Sequence, residues 1–145
     1  QIINSLMKKT KEFHYTIKGY DKAPSAVSKA KDNIRNANLE DYVTIREDNF
    51  FDTEKETEGK LHIVFNPPYD ERLDIQMERF YSSIGDTLKK NYPGTNAWFI
   101  TANLEALKFV GLKPSRKIKL FNASLEARLV KYEMYEGSKR TKFQI

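Results

Sequence analysis

Four consecutive residues, Asn66-Pro67-Pro68-Tyr69, carry side chains that could do chemistry together. The chemistry that suits them is methylation of an exocyclic amine on a nucleobase. Such an amine is a poor nucleophile because its lone pair is delocalised into the ring. The side-chain carbonyl of Asn66 and the backbone carbonyl of Pro67 could each accept one N–H bond. Held that way, the lone pair turns out of the ring plane toward a methyl donor. Proline fixes φ at about −65° and leaves its carbonyl little freedom to wander. Tyr69 could stack on a base taken out of its helix, as enzymes acting on flipped bases require. The bland alternative is a proline-rich turn between a strand and a helix, with no chemistry.

The turn needs an element to hold it, and the preceding run over 61–65 supplies one. It is short, mixes β-branched and aromatic residues, and stops at two prolines, so it reads as a buried strand. Asn66 then lies at the carboxyl end of a strand, the edge where open α/β sheets bind ligands. Around it, the chain alternates. Residues 2–13 read as a helix with Ile2, Ile3, Leu6 and Met7 on one side, and 14–20 as a strand ending in Gly19-Tyr20-Asp21. Pro24, tolerated in a first helical turn, opens a helix to about Asn38, a residue suited to a left-handed terminator. A strand follows over 42–47, then Asp48-Asn49-Phe50 and a polar loop over 53–60.

Beyond the turn, Met77, Phe80, Tyr81, Ile84 and Leu88 form the apolar stripe of a long helix over 74–92, stopped by Pro93-Gly94. A strand over 96–101 and a short helix over 103–110, closed by Gly111, come next. Two strands, 117–121 and 125–135, joined by Asn122-Ala123-Ser124, are close enough to form an antiparallel hairpin. The order predicts an α/β fold, mostly parallel, with helices on both faces and a hairpin at one edge.

At 145 residues, with 39% hydrophobic and 31% charged residues, the chain has the composition of one soluble globular domain. A net charge of +5 is compatible with nucleic acid without demanding it. The absence of cysteine excludes disulfides and thiolate metal sites, and His14 and His62 read as packed strand residues rather than ligands. No apolar run reaches membrane-spanning length and no signal peptide is visible, so a cytoplasmic protein is expected. The first residue is Gln1, which suggests a piece of something longer.

With a terminal hairpin on such a sheet, the chain resembles the class I S-adenosylmethionine-dependent methyltransferases. Its residues narrow the likeness. Gly19-Tyr20-Asp21, Ala30-Lys31-Asp32-Asn33, Asp48 and Asn66-Pro67-Pro68-Tyr69-Asp70-Glu71-Arg72-Leu73 are similar to the large-subunit ribosomal RNA guanine-N2 methyltransferases, a family also described as N6-adenine DNA methylases. Phe80-Tyr81 with Gly85 and Leu88-Lys89, Gly111-Leu112-Lys113-Pro114, and Leu120-Phe121-Asn122 with Leu125-Glu126 extend the likeness over nearly the whole chain. Ala123 departs from it, since a glycine usually follows the residue matching Asn122. The resemblance implies S-adenosylmethionine as cofactor and ribosomal RNA as partner. It assigns base handling to Asn66, Pro67 and Tyr69, the donor's ribose to Asp21, and its adenine to Asp48 and Asn49, with Phe50 beside the ring and Asn66 near the donor. Read without the family, Asp21 is equally a helix-start residue ahead of Pro24, and Asp48 a loop carboxylate. Arg72 either meets a phosphate or pairs with Asp70 or Glu71.

One part of the family pattern is missing from the sequence. The family's donor site opens with a strand and a loop of the Asp-Pro-x-Cys-Gly-x-Gly kind. This chain has neither cysteine nor Gly-x-Gly among its six scattered glycines. It therefore resembles the later part of the catalytic domain. The first, central strand would fall between the strands at 14–20 and 61–65, so an upstream segment of a parent chain is expected to complete the sheet and the donor site. Two other functions compete: N6-adenine methylation of DNA, which the local motif serves equally, and RNA binding without turnover. The second would rest on Lys113, Arg116, Lys117 and Lys119 and on Lys139, Arg140 and Lys142.

Overall fold

The computed structural model describes residues 2–69 and 73–136. Asp70, Glu71 and Arg72, and the basic tail with Lys139, Arg140 and Lys142, lie outside the described residues. The chain divides into two compact units, Gln1–Phe50 and Phe51–Ile145.

The first unit contains α1 (Ile2–Lys8), β1 (Ile17–Asp21), α2 (Pro24–Asn36) and β2 (Val43–Glu47). β1 and β2 run parallel, with Gly19 opposite Ile45 and Asp21 opposite Glu47, and α2 forms the crossover. Pro24 opens α2, and Asn38 ends the turn beyond it at φ 57, in the left-handed conformation expected of it. Two boundaries differ from expectation. α1 stops at Lys8 rather than near Phe13, because Ile2, Ile3, Leu6 and Met7 are all exposed. Without an apolar partner, so short a helix has little to extend it. β1 begins at Ile17 rather than His14, because its partner strand begins at Val43, directly opposite Ile17. Val27, on α2, is the one buried residue among the described residues of this unit.

The second unit is built on β3 (Leu61–Phe65), α3 (Ile75–Asn91), β4 (Thr95–Thr101), β5 (Arg116–Asn122) and β6 (Leu125–Glu133). The expected helix over 103–110 is a shorter 3-10 turn, Ala106–Phe109. Asn103 Oδ1 accepts from the Ala106 N–H at its start, and Gly111, at φ 72, turns the chain away at its end. The strand order is β3-β4-β6-β5: β3 and β4 are parallel, and β6 is antiparallel to both its neighbours. α3 is capped by the Asp74 carboxylate, which accepts from the Met77 N–H at 2.7 Å.

The core lies between α3 and one sheet face. Phe65, Phe99 and Tyr132 stack in series across three strands, with ring centroids 5.0 and 5.5 Å apart. Tyr81 of α3 meets Phe99 edge-on, and Ile84 and Leu88 are buried beside it. On the other face of the same strands, Val64 is 75% exposed. Among the described residues β1 pairs only with β2 and β3 only with β4, and the two do not pair with each other. The expected α/β fold is therefore present as two sheets, one in each unit. No helix among the described residues is long and apolar enough to cross a membrane.

Candidate active site

In the second unit, β3 ends at Phe65 and hands the chain to Asn66. Asn66 is exposed, and its carboxamide makes no hydrogen bond among the described residues. Pro67 is buried and Tyr69 half-buried, so the turn is seated while its asparagine is left open.

The seat is a hydrogen-bonded chain. The Tyr81 hydroxyl, on α3, donates to the carbonyl of Pro68 at 3.2 Å and lies 2.6 Å from Thr101 Oγ1 at the end of β4. A phenol has one proton to donate. Since that proton goes to Pro68, Thr101 supplies the proton of the shorter bond. Thr101 in turn accepts from the Asn103 N–H at 3.1 Å. Tyr81 and Thr101 are both fully buried, and burial pushes the Tyr81 phenol above its ordinary pKa, with the Thr101 hydrogen bond opposing. The phenol therefore stays neutral and keeps its donor.

A second contact comes from the hairpin. Asn122 Nδ2 donates to the Tyr69 hydroxyl at 3.5 Å, a long bond that ties the end of β5 to the aromatic residue of the turn. The next residue, Ala123, has φ 55. This is the left-handed region that favours glycine, which accounts for glycine being usual at this place in the family the sequence resembles. Sequence reasoning gave Tyr81, Thr101 and Asn122 no part in the site.

In the first unit, the parallel pairing puts the carboxyl ends of β1 and β2 side by side, and the Asp48 N–H donates to the Asp21 carbonyl at 3.0 Å. Asp21 Oδ1 accepts from the Ala23 N–H at 2.8 Å, just ahead of α2. That bond holds the loop ahead of α2, whose N-cap is Ala23, and among the described residues the other carboxylate oxygen makes no hydrogen bond. Asp48 accepts from the Asn49 N–H at 2.9 Å and pairs with Arg46 at 3.2 Å. Arg46 lies over the Tyr20 ring, 5.0 Å from its centroid. These bonds fix the orientation of Asp48 and leave lone pairs on a carboxylate that has about four. Asp21, Asp48 and Asn49 are thus gathered at one strand edge.

Comparison with known proteins bears on which family the chain belongs to. The profile of a family described as RMKL-like, methyltransferase domain, matches residues 3–131. The chain is 32% identical to the ribosomal RNA large subunit methyltransferase K/L of Syntrophotalea carbinolica over 125 residues, covering 81% of this chain and 17% of that protein. To the protein of the same name from Methylococcus capsulatus it is 33% identical over 120 residues, with 81% and 16% covered. It thus spans about a sixth of the length of the curated relatives it matches. Among solved structures, that of SMU.472 complexed with SAH matches with a TM-score of 0.73 and 27% identity, over 84% of this chain and 32% of that one. A predicted N6-adenine-specific DNA methylase from Listeria monocytogenes matches with a TM-score of 0.67 and 28% identity, over 81% and 30%.

Proposed function

The chain belongs to the RMKL-like methyltransferase domain family, and from that membership we propose that it carries the base-handling part of an enzyme that methylates the exocyclic N2 amine of a guanine in large-subunit ribosomal RNA. S-adenosylmethionine, when bound, would supply the methyl group on a sulfonium. Asn66 and Pro67 accept the two N–H bonds of the amine and turn its lone pair toward the methyl carbon. With the donor bound, the amine nitrogen would take the methyl group as the sulfonium becomes a thioether, and would release one proton to solvent. Tyr69 stacks on the base. Asp21 receives the donor's ribose hydroxyls, and Asp48 with Asn49 its adenine. Most of the rate comes from holding the amine in line with the methyl group, since no covalent intermediate is needed.

The single observation that carries this reading is Asn66: an exposed carboxamide at a strand's carboxyl end, without a hydrogen bond among the described residues, on a turn tied to α3 by the Tyr81–Pro68 bond. Among the described residues β1 and β3 are each paired along one edge only, which supports a second element of the proposal, a further strand of the parent protein that brings the glycine-rich loop this sequence lacks. The protein would then work in the cytoplasm, where ribosomal RNA is made and assembled. The test is made in the parent protein. Asn66→Ala should abolish methyl incorporation into unmodified ribosomal RNA while donor affinity, measured by calorimetry, stays near wild type. Asp21→Ala should weaken the donor instead. Near-wild-type incorporation by Asn66→Ala removes it from the mechanism, and incorporation into duplex DNA rather than RNA would replace guanine N2 with adenine N6.

A further inference from the structure

A concavity of about 550 Å³ lies in the second unit among the 3-10 turn, the loop after it and strands β5 and β6. It is separate from the turn after β3: none of its lining residues belongs to 66–69. Every charged residue lining it is a cation: Lys108, Lys113, Lys117 and Arg128. A fifth stands at the rim, because Lys89 Nζ lies 3.1 Å from where a Cβ on Gly111 would be. Two of the lining cations are matched by carboxylates outside the lining. Lys108 pairs with Glu105 at 3.0 Å, and Arg128 lies 3.7 Å from Glu126. Lys113 and Lys117 are exposed and have no ion-pair partner among the described residues. Between the charges the lining is apolar, with Leu107, Leu112 and Pro114, backed by the buried ring of Tyr132.

Cations gathered around a hollow repel one another, and an anion seated there removes the repulsion. An apolar wall beside unmatched lysines fits a nucleotide: the lysines take the phosphate and the wall takes the sugar and base. A plain anion would use the lysines and leave the apolar wall idle. We propose that this concavity is a secondary subsite for one phosphodiester of single-stranded RNA, held by Lys113 and Lys117, where a stretch of substrate away from the reacting base is gripped. The proposal rests on the reading of the substrate as ribosomal RNA. It gives the domain a sequence-independent grip of its own, distinct from the turn that orients the amine.

The experiment is fluorescence polarisation of a labelled single-stranded RNA oligonucleotide titrated with the 145-residue chain at several salt concentrations. Each phosphate contact to a single strand contributes about 0.7 to the slope of log affinity against log salt. Because both lysines hold the same phosphodiester, Lys113→Gln/Lys117→Gln should lower the slope by about 0.7. Lys29→Gln/Lys31→Gln, an exposed pair on α2, should leave it nearly unchanged. Because all four positions are exposed, the variants should fold, and circular dichroism checks that they do. In parallel, the leucine methyl NMR signals of Leu107 and Leu112 should shift on adding RNA. A pocket variant with the wild-type slope, or one falling no further than the α2 pair, overturns the proposal, as do unmoved leucine signals. If the pocket variant loses RNA affinity but the parent protein methylates no RNA, the grip stands and the methylation reading falls. If the same substitutions in the parent leave both RNA affinity and methylation intact, the grip falls and the methylation reading stands.

Discussion

Tyr81 carries one hydroxyl proton and touches two oxygens, and the direction of its bonds decides what the turn after β3 can do. Donating to Pro68, it ties the second proline's carbonyl to the core of the second unit, two residues after Asn66. Tyr81→Phe removes that donor and also the acceptor of the Thr101 proton. The buried Thr101 hydroxyl loses the acceptor of its proton, though it keeps the Asn103 N–H, and the part-buried bond to Pro68 is lost, so the substitution should destabilise the second unit by about 1–3 kcal/mol, read from the urea midpoint of the variant against wild type. An unchanged midpoint would show that water replaces the phenol oxygen at no cost. The sequence places Tyr81 on the buried stripe of α3 by helical spacing alone. What it does not show is that the ring ends in a hydroxyl whose partners stand 13 and 20 residues away. The same holds for Asn122, whose contact with Tyr69 spans 53 residues. Periodicity reports which side of an element is buried. It is silent on which polar atoms converge once the elements are packed.

At the scale of elements, local signals were most informative where the chain itself supplies the boundary. β3 runs over 61–65 as expected because Pro67 and Pro68 forbid its continuation, and α3 lies within one residue of its expected limits because Asp74 caps one end and Pro93 follows the other. Boundaries set by a partner were not legible: β1 is as long as β2 allows, and α1 ends where nothing packs against it. A contact between elements gives a sharper test. α3 approaches the 3-10 turn so closely that a Cβ on Gly85 would lie 1.7 Å from the Val110 carbonyl oxygen. That atom is backbone and cannot swing aside. Gly85→Ala should therefore push the turn away and cost about 1–3 kcal/mol, the range for overpacking a tight interior, despite alanine's better helix propensity. Thermal unfolding followed by circular dichroism measures it, and a variant at least as stable as wild type would mean that α3 and the turn part without penalty.

Taken whole, the molecule distributes its burial unevenly. The stacked rings of Phe65, Phe99 and Tyr132, with Tyr81, Ile84 and Leu88, give the second unit a core of its own. Among the described residues of the first unit, Val27 alone is buried, and a two-stranded sheet is marginal without more apolar cover. That single valine has a consequence in time. Backbone amides exchange with solvent deuterium only when their hydrogen bonds open, and each element opens at the free energy of the unit that holds it. In the 145-residue chain the amides of β1 and β2 should take up deuterium about a hundredfold faster than those of β4 and β6, a gap of about 2.7 kcal/mol in opening energy. Mass spectrometry of peptides covering 17–21, 43–47, 95–101 and 125–133 would read the two rates directly, and equal rates would show one cooperative body. Two rates in one chain would mark the first fifty residues as a body that opens without disturbing the core of the second unit.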